Sequence, residues 1–190
     1  YKGDEAKKKL LKAVEIDKDF GAAYIFLSQF GSNTGSETDD YYEKALSLKE
    51  KLNDVEKCLL EIRTSYRDND TGKRLEYSKK LVELLPNNAI AHQRMAYYHW
   101  GMSNIEESRK SLLLAIEKDK NYSSAYDNLA GSYMFADPKN YEMAEKYASK
   151  ALSLNKKESY YHVLLGDVYR AQNKLQKAAE KYDDAYETGT

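Results

Sequence analysis

The 190-residue sequence has little of the material that builds disulfide-linked or membrane-spanning proteins. It contains 1 cysteine, 2 prolines and 9 glycines, and β-branched residues are sparse. A single cysteine, Cys58, excludes an internal disulfide framework. No stretch approaches the ~18 apolar residues of a membrane helix, so we expect no direct membrane insertion. No signal peptide is evident, but the sequence starts at Tyr1 rather than Met. The compartment stays open between the cytoplasm, slightly favoured, and the periplasm or exterior.

An excess of either charge is also absent. Lys and Arg number 30 against 31 Asp and Glu, which gives a net charge of -1 and a pI near 6.4. Nucleic-acid binders usually carry a basic stripe and a high pI, so nucleic acid is not an expected partner. The abundant residues are Ala, Leu, Lys and Glu, which lose little side-chain freedom in a helix. The composition therefore predicts a helical protein.

One spacing recurs in the second half of the chain: a large residue, two skipped, an apolar–small pair, two skipped and an aromatic residue. It occurs as His92, Met95-Ala96 and His99, as Tyr126, Leu129-Ala130 and Tyr133, and as His162, Leu165-Gly166 and Tyr169. Weaker forms begin at Tyr24 and Val55. Each form is followed by a second pattern, in which a small residue has an Ala seven positions later. Only the segment from Arg74 to Leu81 lacks this second pattern. The second pattern occurs as Ala6 and Ala13, Thr38 and Ala45, Ser108 and Ala115, Ala144 and Ala151, and Ala178 and Ala185.

These patterns recur after 34 residues from His92 to Tyr126 and after 36 from Tyr126 to His162. A period of 34 with this pattern resembles the tetratricopeptide repeat, a helix-turn-helix unit. The resemblance covers nearly the whole chain, although the tryptophan that often opens a unit is missing from that position. It implies an all-α fold, a right-handed superhelical solenoid of antiparallel helix pairs. We expect about five units plus one leading half unit, forming a single domain over residues 1–190.

Breaker segments rich in Asn, Asp and Gly divide the predicted helices, and the small residues predict where helices cross closely. Gly166 and Ala178 are expected to face each other where the two helices of the last unit meet. The predicted helices are 3–16, 20–31, 37–49, 52–67, 71–84, 88–101, 104–118, 122–135, 139–153, 157–171 and 174–188.

The first predicted helix is the second helix of a unit, whose partner would lie before Tyr1. We therefore expect the chain to be a fragment of a longer protein. The apolar face of this helix, formed by Leu10, Leu11 and Val14, would lack its partner, because repeats bury their cores against neighbours. Self-association through exposed repeat ends is expected.

No catalytic or metal constellation is found in the sequence. The three histidines, His92, His99 and His162, fall in large-apolar or aromatic positions of the repeat, so we interpret them as packing residues. Cys58 has no paired histidine and reads as a small buried hydrophobe. No phosphate loop, nucleophile elbow or HExxH motif occurs. We expect no enzyme activity, no cofactor and no metal.

The resemblance implies a concave groove lined by the first helix of each unit, which binds extended peptides or partner helices. The groove residues expected from it are Ile25, Phe26, Gln29, Glu56, Lys57, Arg63, Gln93, Arg94, Tyr97, Trp100, Asp127, Asn128, Met134, Tyr160, Asp167 and Arg170. The predicted site comprises Arg94, Tyr97, Trp100, Asp127, Asn128, Tyr160, Asp167 and Arg170. Aromatic and Arg side chains are enriched in binding hot spots. The alternative for Trp100 is plain packing at the end of its helix.

Two hypotheses for function follow. The first is a non-enzymatic interaction module that binds a peptide or protein segment in the groove. The second is a sensing or scaffolding segment of a larger regulatory or membrane-anchored protein. The family members that grip chaperone tails use a Lys, Asn and Arg clamp, of which only Asn128 is matched in the last three units. A chaperone-tail adaptor is therefore not expected.

Overall fold

The computed structural model describes residues 2–30 and 36–189, and all regular structure in these ranges is helical. It forms two compact units, Tyr1–Leu84 and Leu85–Thr190. The helices are α1 (Lys2–Ile16), α2 (Gly21–Leu27), α3 (Ser36–Ser47), α4 (Asp54–Arg67), α5 (Thr71–Leu84), α6 (Ala89–Gly101), α7 (Ile105–Lys118), α8 (Ser123–Phe135), α9 (Tyr141–Leu154), α10 (Ser159–Ala171) and α11 (Leu175–Gly189), with a 3₁₀ turn at Lys49–Lys51. The all-α class and the helix order are confirmed. The prediction of one continuous domain stays a prediction.

Asparagine caps explain three of the helix starts. The side-chain oxygen of Asn53 accepts from the amide of Glu56 at 3.0 Å, and the Glu56 carboxylate accepts from the Asn53 amide at 2.9 Å. Asn88 and Asn140 cap α6 and α9 with their side-chain oxygens alone, which accept from backbone amides of the first turn. Each cap satisfies amides that have no partner within the helix. The breaker segments therefore work as predicted at these junctions.

The prediction for α2 is wrong at its C-terminus, because the α-helix ends at Leu27 rather than at residue 31. The Ser28 hydroxyl donates to the Ile25 carbonyl at 2.8 Å, and the Gln29 amide nitrogen donates to the same carbonyl at 3.2 Å. The backbone amide of Phe30 then bonds to the carbonyl of Leu27, three residues back. Side chains that bond nearby carbonyls compete with the helical ladder. Residues 31–35, which belong to the predicted breaker segment between the second and third helices, lie outside the described residues.

The first unit buries one apolar core between α1, α2, α3 and α4. In it, α2 packs on α1, α3 and α4, and α4 packs on α5. Val14 is buried, and Leu10 and Leu11 are half-buried against this core. The expectation that these three side chains lack cover is therefore wrong, because the following helices bury them. Self-association through the repeat ends stays a prediction, but the apolar face of α1 does not support it.

The second unit consists of three antiparallel pairs, α6 with α7, α8 with α9 and α10 with α11, and consecutive pairs pack through α7 on α8 and α9 on α10. The small residues of the repeat lie in its core as predicted. They include Ala96, Ala115, Ala130, Ala144, Ala151, Ala178 and Ala185, all buried. One predicted contact needs correction. The nearest side chain to Gly166 is Tyr182 rather than Ala178.

Three helix ends share one turn. Asn69, Ser103 and Asn173 have φ angles of 54°, 58° and 60° and follow α4, α6 and α10 at the same repeat position. At Ser103, the next amide, of Asn104, donates to the His99 carbonyl at 2.8 Å. A left-handed residue with this hydrogen bond satisfies the last carbonyls of a helix. The junction after α8 differs, because two extra residues give an extended turn.

Arg74 occupies the position where other units have a small residue, yet it is buried. Its guanidinium carbon lies 3.8 Å from the centre of the Tyr66 ring, and Nη2 donates to the Ser65 carbonyl at 3.1 Å. Since Arg can stack on an aromatic face and bond a carbonyl at once, the exception in the repeat pattern is accommodated by stacking.

The histidines and the cysteine lie where the repeat pattern predicts. His92 and His162 are buried, with each Nε2 2.9 Å from a backbone carbonyl, of Pro86 and Lys156 respectively. His99 packs edge-on against Tyr98. Cys58 is buried, and burial raises the pKa of its thiol. Within residues 2–30 and 36–189, no cluster of three His, Cys, Asp or Glu side chains could hold a metal, and no helix is long and apolar enough to span a membrane.

Candidate interaction site in the second unit

The first helices of the three pairs, α6, α8 and α10, are joined by side-chain hydrogen bonds. Asn128 on α8 donates to the Tyr97 hydroxyl on α6 at 3.2 Å and to its own helix at the Ser124 carbonyl at 2.7 Å. Tyr160 on α10 donates to Asp127 on α8 at 3.0 Å. These bonds orient the polar groups of the face that the three helices share.

An open cavity of about 320 Å³ lies on this face. Its walls are mostly apolar and aromatic, and several wall residues are unusually exposed: Trp100 by 43%, Tyr160 by 52% and Phe135 by 67%. The lining residues are Ala96, Tyr97, Trp100, Ser108, Leu112, Asp127, Asn128, Gly131, Ser132, Phe135, Tyr160 and Leu164. Concave apolar sites with a few oriented polar groups are typical of binding sites.

A glycine makes room for this cavity. Gly131 stands on α8 where α6 has Tyr97, 34 residues earlier, and where α10 has Asp167, 36 residues later. A Cβ atom at Gly131 would have nothing within 4 Å. A tyrosine or aspartate there would fill space that the glycine leaves empty.

Asp127 is the only acidic side chain lining the cavity, and its environment is unfavourable for charge. Burial raises its pKa to about 6, although the hydrogen bond from Tyr160 acts in the opposite direction. Burial and the Asp127 charge in turn raise the pKa of Tyr160 well above its ordinary value. Since burial penalises the charged form of a carboxyl group, the carboxylate would gain from a positive neighbour.

The cavity contains five of the eight residues of the predicted site: Tyr97, Trp100, Asp127, Asn128 and Tyr160. Arg94 is half-buried and does not line it. Asp167 and Arg170 form an ion pair at 3.3 Å and line a separate cavity of about 380 Å³. Phe135 lines both cavities. The structure thus groups the aromatic residues of the predicted site with Asp127 and Asn128 and separates Asp167 and both Arg residues from them.

Three of the wider set of expected groove residues are core residues instead. Ile25, Gln93 and Met134 are buried. Gln93 donates to the Ser124 hydroxyl at 2.7 Å and accepts from Tyr122, whose pKa burial raises to about 12. An amide bonded on both sides in this way satisfies a buried contact between α6 and α8 and is not free to face a ligand.

Sequence reasoning missed Phe135 and Gly131. Phe135 is the last residue of α8, and its exposure could be suspected from the "FADP" junction, where the helix stops directly after an aromatic residue. Gly131 could be found by comparing equivalent repeat positions, since a glycine between a Tyr and an Asp marks a gap in that face.

A larger and more polar cavity of about 500 Å³ lies in the first unit, lined in part by Arg63, Arg67 and Asp39. Arg63 Nη2 donates to the Ser28 carbonyl at 2.7 Å, and Arg67 forms an ion pair with Asp39. These groups have partners within the unit. The apolar, aromatic cavity of the second unit is therefore the better candidate for an interaction site.

The chain is similar in fold to solved helical repeat structures of the tetratricopeptide type. A crystal structure of MamA matches with 20% identity and a TM-score of 0.65, over 80% of this chain and 91% of that one. BtubC from P. vanneervenii matches with 16% identity and a TM-score of 0.64, over 98% and 88%. The APC/C hetero-tetramer Cut9-Hcn1 matches with 14% identity and a TM-score of 0.67, over 98% and 37%.

No protein-family model matches the sequence, and no curated protein matches it. The likeness to solved structures is below 25% identity, so it establishes the fold and not the partner. The tetratricopeptide-like helical repeat predicted from the spacing of small residues is thereby confirmed as a fold.

Proposed function

We propose that this chain is a non-enzymatic interaction module that binds a peptide or protein segment on the face of α6, α8 and α10. The observation that carries the proposal is the open cavity with Trp100, Phe135 and Tyr160 exposed at its walls. Exposed apolar patches on a folded protein typically mark interaction sites. Trp and Tyr also supply large, rigid contact area at low entropic cost.

The name of one similar structure supports this reading at the level of the fold. Cut9-Hcn1 is described as a hetero-tetramer, so a helical repeat of this fold is found in a protein complex. A scaffolding segment of a larger chain would bind its partner with the same face, so the proposal is compatible with both hypotheses from the sequence. The net charge of -1 provides little long-range steering, so association should depend only weakly on salt.

The test is a selection of random displayed peptides on the purified protein, followed by affinity measurement on individual peptides by fluorescence anisotropy. Replacing Tyr97 and Trp100 together with Ala should weaken binding by ~2 kcal/mol, about thirtyfold. The matched control replaces Leu113 and Leu114 with Ala, because both are exposed apolar residues on the second helix α7. Binding that survives the first change but is lost with the control would overturn the proposal. Circular dichroism shows that each variant keeps its helices.

A further inference from the structure

We propose that the cavity takes a cationic side chain, the ammonium of a lysine or the guanidinium of an arginine, from the bound segment. Asp127 is its counter-ion, and Tyr97, Trp100 and Tyr160 surround its stem. This inference rests on the proposed function, since it names the ligand chemistry of the same face.

The first argument is that Asp127 has no cationic partner. The carboxylate is half-buried and accepts one hydrogen bond, from the neutral hydroxyl of Tyr160. Within the part of the chain that the structure describes, no Lys, Arg or His side chain forms an ion pair with it. Elsewhere in the same unit, Glu145 pairs with Lys174 at 2.9 Å. Because an unpaired buried charge is costly, a ligand cation at Asp127 would offset a cost that the free protein bears.

The second argument is the character of the walls. Among the residues that the structure describes, the cavity lining includes Tyr97, Trp100, Phe135 and Tyr160 but no Lys, Arg or His. A cation above the face of Trp or Tyr is attracted by the ring, and aromatic walls beside a carboxylate are a common way to recognise ammonium groups. The methylene stem of Lys or Arg covers apolar surface while its head reaches a charge.

The third argument excludes the other occupants. An acidic side chain would meet the Asp127 carboxylate, and like charges at close range destabilise each other. A neutral apolar side chain would remove water from Asp127 and leave the carboxylate with the Tyr160 hydroxyl but no cation. The cavity of about 320 Å³ lies at the lower limit of ligand pockets, which suits one long side chain.

Tryptophan fluorescence can report binding in the cavity, because Trp100 is the only tryptophan in the sequence and lines the cavity. The probes are the Nα-acetyl N-methylamides of lysine, arginine, norleucine and glutamate, titrated against intrinsic fluorescence at pH 7.5. Lysine and norleucine share the length of the stem and differ in charge. We expect saturable fluorescence changes in which lysine or arginine binds at least tenfold more tightly than norleucine, with glutamate weakest. The better cation identifies which head group the cavity prefers.

The variant Asp127→Asn should abolish this tenfold preference, because an amide has no charge with which to favour the cation over its uncharged isostere. Its matched control is Asp183→Asn, an exposed aspartate on α11 whose replacement should change nothing. Lowering the pH to 5 should shrink the lysine preference in the wild type but not in Asp127→Asn. The titratable groups that face Asp127 from α10 are Tyr160 and Tyr161, and burial raises the pKa of both hydroxyls, so neither titrates in this range.

The outcomes separate this inference from the proposed function. Equal affinity for lysine and norleucine, or no saturable response to any probe, overturns the cation inference. Neither result changes the dependence of selected peptides on Tyr97 and Trp100, which tests the proposed function alone. A lysine preference that persists unchanged in Asp127→Asn also overturns the assignment of Asp127 as the counter-ion.

Discussion

The ring of Tyr182 covers Gly166 so closely that a Cβ atom on the glycine would lie 2.6 Å from its Cε1. The Tyr182 hydroxyl donates to Asp167, the residue after the glycine, at 2.9 Å. The ring is therefore held against the α10 backbone by its own hydrogen bond. Glycine is necessary at position 166 because the Tyr182 ring packs directly on its backbone. The sequence had predicted a contact between two small residues, Gly166 and Ala178.

Gly166→Ala should lower the free energy of unfolding by ~1–3 kcal/mol, because the added methyl group displaces the Tyr182 ring and overpacks the crossing. The matched control is Gly131→Ala on α8. A Cβ there meets nothing within 4 Å, so the better helix propensity of Ala should raise stability by ~0.5–1 kcal/mol. Urea denaturation of both variants measures the difference. Equal stabilisation by both changes would contradict the close contact at Gly166.

The fold could be predicted from the sequence, because small residues that recur about every 34 positions show which face of each helix packs against its neighbours. The details that failed depend on individual side chains. The spacing puts Gly166 on the face toward α11 but does not show which side chain of α11 reaches across. The end of α2 depends on Ser28 and Gln29 bonding the carbonyl of Ile25, which helix propensity does not include.

The position of Tyr97, Trp100, Asp127 and Asn128 on one shared face was predictable, because the repeat spacing puts them at related positions of successive first helices. The cavity itself was not, because it depends on the empty space beside Gly131. The unfavourable environment of Asp127 depends on burial, which a spacing pattern does not measure. Arg94 fell outside the cavity although its position in the repeat equals that of Asn128.

Arg109 should contribute strongly to the stability of the second unit. Its side chain is 4% exposed, and Nη2 donates to the carbonyls of Ser132 at 2.8 Å and of Ala136 and Pro138 at 3.3 Å. The guanidinium thus satisfies the C-terminal end of α8, where a cation is favourable. Arg109→Met should destabilise by ~3 kcal/mol, because these carbonyls lose a charged donor in a buried place.

The neighbouring Lys110 is the control for Arg109. It is exposed and pairs with Glu107 at 2.7 Å, so Lys110→Met should cost far less stability than Arg109→Met, as is usual for surface ion pairs. Arg109→Lys should be more stable than Arg109→Met but less stable than the wild type. An ammonium lacks the planar array of N–H donors with which a guanidinium bonds several carbonyls at once. Thermal unfolding followed by circular dichroism ranks the three variants. A loss at Lys110 as large as that at Arg109 would refute the assigned role.

Replacing Ser103 can raise the stability of the protein, because this residue has a left-handed backbone conformation with φ of 58°. The equivalent residues Asn69 and Asn173 are asparagines, which tolerate this region better than most residues. Ser103→Gly should therefore raise the free energy of unfolding by ~0.5–1 kcal/mol. Ser103→Val, whose branched side chain is strained at positive φ, should lower it by at least as much. Urea denaturation decides, and a stabilising Val would show that the turn is not left-handed in solution.

Asp127 should make stability depend on pH in the sense opposite to most carboxyl groups. Its folded pKa of about 6 exceeds the ordinary value of 3.8, so the folded state binds the proton more tightly than the unfolded state. This contribution to stability is complete below pH ~4 and is lost as the pH rises through about 6. Asp127→Asn removes the ionisation and should gain stability relative to the wild type over that interval, on the order of 2 kcal/mol by pH 7.

The measurement is urea denaturation of wild type and Asp127→Asn at pH values between 4 and 7, with the difference in unfolding free energy plotted against pH. The difference isolates Asp127 from groups such as Glu107, whose pKa is lowered by the hydrogen bond from Lys110 and which therefore acts in the opposite sense. Asn can still accept from Tyr160, so the contact between α8 and α10 is retained. A flat difference for Asp127→Asn would mean that solvent reaches the carboxylate and that the cavity does not disfavour its charge.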